Sequence, residues 1–191
     1  MVPLRRPTKE ELSDLVNFVE FNSEEQKYMN KIKKKRKPLS DAKDYNRLLK
    51  FYIDELKNIE GEFGDRIAVK RRLYYSIGHT LESMATFGMK NEHPITKAQA
   101  FENAITWYQA ADELCGFLTD YALRQAECCT GAMDYRLKAG LNDKITEGFA
   151  VKFHELIEAV FGKDKYIVVN PNHLKELGLP GGFEGHFKLN Y

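Results

Sequence analysis

From Leu12 to Phe161 apolar side chains recur every three to four residues, and glycine and proline punctuate the pattern. The segment "DAKDYNRLLKFYIDELKNIEG" shows it best: Tyr45, Leu48, Leu49, Tyr52, Ile53, Leu56 and Ile59 form one broad stripe. A strand face needs alternation at every second residue, so this period is that of an amphipathic helix. Repeated along the chain, it predicts an all-α fold of about seven helices, and short connections favour antiparallel hairpins.

Local signals place the boundaries. Thr8 with Glu11, Ser23 with Gln26 and Thr96 with Gln99 have capping-box spacing. Pro38 is expected to stop the second helix and Gly61 the third. A fourth helix is predicted from Asp65 to Phe87 with Gly88 after it, and Gly140 closes a sixth. The seventh runs from Asp143 to Phe161 on Ile145, Phe149, Phe153, Leu156, Ile157 and Val160. Past Gly162, "KYIVVN" is β-like and "GLPGGFEGHFKLNY" cannot continue a helix. The organisation expected is one helical domain over residues 1–162 and an irregular or β-like extension over 163–191.

Charge and cysteine usage narrow the function classes. The chain carries 29 basic and 28 acidic residues, a net charge of +1, so no global attraction to a polyanion is expected. No apolar run reaches the roughly 18 residues of a spanning helix. "MVPLRRPTKEEL" has no apolar core of a signal peptide. Three cysteines, Cys115, Cys128 and Cys129, suit a reducing compartment and a cytoplasmic location. Adjacent Cys128 and Cys129 lack the spacing of metal ligands and read as core.

In "AITWYQAADEL", Ala104, Tyr108 and Ala111 sit in small, aromatic and small positions, and upstream Tyr74, Ile77, Gly78 and Leu81 match a partner helix in character. This resembles the tetratricopeptide repeat, in which small residues let paired helices approach while an aromatic ring fills the groove. The resemblance covers roughly residues 70–160 and implies a peptide- or protein-binding stack. The unit is stretched: Gly78 and Ala104 are 26 residues apart, and Gly116 stands where the family has proline. Ala126 follows Gly78 by 48 residues and Ala150 follows Ala104 by 46, so the hairpins recur at an elongated period. An irregular bundle whose small residues mark close crossings uses the same side chains.

Chemistry-bearing motifs are sparse. His79 with Glu82 and His154 with Glu158 share helix faces, but di-metal bundles need Glu-x-x-His in the opposite order on two helices. No nucleophile elbow or phosphate loop occurs, so neither catalytic residues, a metal site nor a cofactor are expected. Two surfaces are candidates. In "KYMNKIKKKRK", Lys27, Lys31, Lys33, Lys34, Lys35, Arg36 and Lys37 occur with no acid among them. The last six suit an anion or nucleic-acid phosphates, although cations near a helix C-terminus also have a local electrostatic reason. Arg66, Lys70, Arg71 and Arg72 form a second basic group. In the extension, Phe183, Phe187 and Tyr191 are anchors for a protein partner or self-association, or fold back on the helices. The expected function is a non-catalytic interaction, scaffold or assembly protein. The alternative is a nucleic-acid-binding accessory protein using the basic run.

Overall fold

The computed structural model describes residues 21–62, 67–114 and 119–161, and they are all-helical with no strand among them. Six helices follow one another: α1 (Ser23–Asp41), α2 (Tyr45–Glu62), α3 (Ile67–Ser83), α4 (Pro94–Glu113), α5 (Thr119–Lys138) and α6 (Lys144–Phe161). A π-helical turn, Met84–Gly88, prolongs α3. The helix expected after Thr8 and the extension over 163–191 lie outside the described residues. No helix among the described residues is long and apolar enough to cross a membrane.

The helix starts differ from the expected boxes for local chemical reasons. Asn22, not Ser23, caps α1: its side chain accepts from the N–H groups of Glu24 and Glu25, and Glu25 Oε2 accepts from Asn22 N–H at 2.8 Å. Asn and Glu serve a box as well as Ser and Gln do, and this register buries Glu25. At α4 the cap is His93, whose Nδ1 accepts from Ile95 N–H at 3.3 Å, with Pro94 in the first helical position. Proline there gives up an N–H that has no intrahelical partner anyway. The expected Thr96–Gln99 box therefore falls inside the helix.

Pro38 does not stop α1, which runs to Asp41. Its missing N–H costs one bond near the end of the helix, and its own carbonyl accepts from Ala42 N–H at 3.1 Å. The chain turns at Lys43, which has a positive φ of 53°. Lys43 N–H donates to Ser40 and Asp44 N–H to Leu39, the paired bonds of a Schellman motif. Gly140, at φ 77°, closes α5 the same way: its N–H donates to Leu137 and that of Leu141 to Arg136.

Helices adjacent in sequence pack on one another, and consecutive helices run antiparallel. Phe101 near the start of α4 stacks on Tyr135 near the end of α5, and Arg136 at that end meets Thr146 at the start of α6. Helix α3 is buried on several sides, with Val69, Leu73, Ile77 and Gly78 inside it. Alanines 98, 100, 104 and 111 line the buried side of α4 and let its neighbours come close. Three glycines mark close approaches: a Cβ on Gly78 would sit 3.1 Å from the Tyr108 ring, one on Gly131 2.8 Å from the Phe101 ring, and one on Gly88 2.8 Å from the Tyr45 ring.

Helices also touch their second neighbours in the chain. Tyr75 of α3 stacks on Tyr121 of α5 at 5.1 Å, and Glu82 of α3 pairs with Arg124 of α5. Lys152 of α6 donates to Gln109 Oε1 of α4 at 2.9 Å.

Candidate functional site

The densest polar chemistry lies where α3, α4 and α5 meet. Tyr108 shares the inward face of α4 with Ala104 and Ala111, all three fully buried. Gly78 and Glu82 stand one turn apart on α3, so the Tyr108 ring lies over Gly78 while its hydroxyl reaches the carboxylate. That hydroxyl donates to Glu82 Oε2 at 2.6 Å. From α5, Arg124 Nη1 donates to Glu82 Oε1 at 3.3 Å and to Glu127 Oε2 at 2.9 Å. Tyr75 packs its ring against Tyr108, Tyr121 and His79, with the Arg72 guanidinium 5.3 Å from its centroid.

Protonation at this junction follows from burial. Burial, then the Glu82 carboxylate, pushes the Tyr108 phenol far above its usual range, so it stays a neutral donor. Burial also works against the Arg124 charge, but Glu82 and Glu127 outweigh it and hold the guanidinium cationic. Cys128 and Cys129 are fully buried on α5. Burial, reinforced by Glu82, drives the Cys128 thiol up, and burial pushes Cys129 up to about 12. A thiol acts as a nucleophile or metal ligand in its thiolate form, and neither carries that form near neutral pH. Cys115 lies outside the described residues.

Each of the two helix-borne histidines has its ring against an aromatic neighbour. Glu82 is engaged by Tyr108 and Arg124, whereas His79 is exposed with its ring against Tyr75. The His154 ring meets Phe153 edge-on, and Glu158 is exposed. Among the described residues no group of three or more His, Cys, Asp or Glu gathers.

Two further polar clamps flank the junction. Between α4, α5 and α6, buried Arg136 donates to Thr146 Oγ1 at 3.0 Å, Glu102 Oε1 at 3.2 Å and Asp143 Oδ2 at 2.9 Å. Asp143 also caps α6, accepting from the N–H groups of Ile145 and Thr146. The Thr146 N–H, with the Arg136 charge assisting, holds the Asp143 carboxyl below the usual carboxylate range. Between α1 and α2, buried Glu55 accepts from the Tyr28 hydroxyl at 2.8 Å and from Lys35 Nζ at 3.1 Å.

The basic run divides on α1. Lys35 pairs with Glu55, Arg36 Nη1 donates to the Tyr52 hydroxyl at 3.0 Å, and Lys37 pairs with Asp41 at the surface. Lys27, Lys31, Lys33 and Lys34 are exposed and form no ion pair with the described residues. None of these cations lies in the last turn, because α1 extends past Pro38. The macrodipole explanation for them therefore falls away. The second basic group is spent on rings: Lys70 over Tyr74, Arg71 over Tyr121 and Arg72 over Tyr75. Arg66 and the partner-binding candidates Phe183, Phe187 and Tyr191 lie outside the described residues.

The junction escaped the sequence reading because its members come from three helices. The one signal was Tyr108 itself, since a phenol on a buried stripe needs a hydrogen-bond partner. Compared with known proteins, the chain matches no protein family, no curated protein and no solved structure.

Proposed function

We propose that this chain is a non-catalytic helical scaffold that binds a protein partner, self-association included, on the outer faces of stacked hairpins similar to a tetratricopeptide array. The observation that carries the reading is a recurring offset between helices two apart. Tyr75 meets Tyr121 46 residues on, Glu82 meets Arg124 42 residues on, and Gln109 meets Lys152 43 residues on. A stack that repeats its geometry merges the outer faces of its hairpins into one continuous binding surface. The polar groups between helices support the same reading: buried Glu55 and Arg136 and half-buried Glu82 bind helix to helix, and the described thiols are held protonated. Among the described residues Cys128 and Cys129 are free thiols, which fit a reducing cytoplasm as the location.

The test is capture of a partner by the whole chain from extracts of its own cells under reducing conditions. A protein retained saturably and in stoichiometric amount is expected; retention of none overturns the reading. Ile145 and Val151 on α6 are 57% and 56% exposed, so Ile145→Asp with Val151→Asp leaves the fold intact and reports whether α6 belongs to the contact.

A further inference from the structure

We infer that the outer face of α1 docks on the phosphate backbone of a nucleic-acid duplex, without reading its sequence. Lys27, Lys31 and Lys34 stand at i, i+4 and i+7, one row along the helix, with Lys33 and Lys37 in the adjacent row. At a rise of about 1.5 Å per residue, the row from Lys27 to Lys34 spans about 10 Å. All five side chains are exposed. Lys37 alone has a partner among the described residues, and its pair with Asp41 is a solvated surface pair of little worth that a phosphate readily replaces.

This face is unfavourable by itself. Like charges at i, i+4, such as Lys27 with Lys31 and Lys33 with Lys37, repel one another along the helix. The inward side of α1 holds the helix against that repulsion through the Asn22–Glu25 cap, the Tyr28–Glu55 bond, buried Ile32 and the Arg36–Tyr52 bond. A row of ammonium groups in which Lys27, Lys31, Lys33 and Lys34 form no ion pair with the described residues relieves its self-repulsion by meeting a polyanion. The net charge of +1 means that this attraction is local to α1 and not a property of the whole chain.

Side-chain chemistry selects the polyanion. The free cations are all lysines, point charges suited to phosphate, while the only arginine of the run is engaged with Tyr52. Tyr28 of α1 turns its hydroxyl inward to Glu55, so the outer face offers no ring on which single-stranded bases would stack. Met29, Ile32 and Leu39 also pack inward, so Pro38 is the one exposed apolar side chain on this face, too little to insert into a lipid surface. What remains is charge matched to charge, and a duplex presents one phosphate charge per about 1.7 Å of its axis.

The experiment measures binding of the whole chain to a DNA duplex by fluorescence anisotropy across a salt series. About four phosphate contacts give a log–log slope near −3.6, so affinity falls roughly a hundred-fold from ~50 to ~200 mM salt. Lys31→Gln with Lys34→Gln is expected to lower the magnitude of that slope by about 2. Lys90→Gln with Lys144→Gln removes the same charge from exposed sites outside α1 and leaves the slope unchanged. Absence of binding at low salt overturns the inference, as does an equal effect of the two double variants. Tighter binding to single-stranded DNA, to anionic vesicles or to polyglutamate than to the duplex also overturns it. Because the readout is duplex affinity and not partner capture, its failure leaves the scaffold reading standing, and the reverse holds.

Discussion

The hydroxyl of Tyr108 donates to Glu82 Oε2 at 2.6 Å, joining a fully buried phenol on α4 to a carboxylate on α3 that also holds Arg124 of α5. Tyr108→Phe keeps the ring over Gly78 but removes the donor, leaving one carboxylate oxygen short of a partner. A loss of about 1–3 kcal/mol is expected in urea denaturation. Tyr108→Ala also empties the space the ring fills and costs more, about 3–5 kcal/mol. A Tyr108→Phe variant as stable as the parent would mean that the bond contributes nothing.

Gly131→Ala and Gly148→Ala are the same chemical change with opposite expected signs. Both gain helix propensity, by about 1 kcal/mol. At Gly131 the new methyl meets the Phe101 ring at 2.8 Å, and that crossing must open, costing about 1–3 kcal/mol. At Gly148, on α6, nothing lies within 4 Å. Thermal melts should show Gly131→Ala below the parent and Gly148→Ala above it.

Lys43 holds the left-handed position of the α1 Schellman motif, where a side chain is strained. Lys43→Gly is expected to stabilise the chain by about 0.5–1 kcal/mol in denaturant titration, since glycine adopts that conformation freely. A destabilised variant would show that the strain at Lys43 is offset by contacts of its side chain.

Burial gives the thiols of α5 a pH signature. Cys129 rises from an ordinary value of 9.0 to about 12 and Cys128 rises further, so between those limits the unfolded chain loses these protons first. Their contribution is complete below pH 9 and is lost as pH climbs toward 12. Unfolding free energies from pH 8 to 11 should therefore decline more steeply for the parent than for Cys128→Ala with Cys129→Ala. On a Cys115→Ala background, a thiol reagent at pH 8 should label the native chain only as fast as it opens.

Where sequence pattern and structure agree, the information is short-range. The stripe from Tyr45 to Ile59 specified α2, and Gly140 and Asp143 marked the end of α5 and the start of α6. Where they differ, the competing choice is also local. Asn22 displaced Ser23 as the α1 cap, and Pro94 with His93 displaced Thr96 at α4. Pro38 was tolerated because the bond it forgoes lies close to the helix end.

Periodicity and caps act over one or two turns, so the sequence alone determined that the described residues are helical and roughly where their helices divide, while Ile145, on the apolar stripe expected for α6, stays exposed. It also located the small residues, Gly78 and Ala104 among them, that allow close crossings. Tertiary structure decided what the polar groups do. Glu82 became the partner of Tyr108 and Arg124, and Lys35 and Arg36 were taken by Glu55 and Tyr52 while Lys27, Lys31, Lys33 and Lys34 stayed exposed. The reason is that the partner of a buried polar group comes from another helix. That pairing depends on how the helices cross, which no local pattern records.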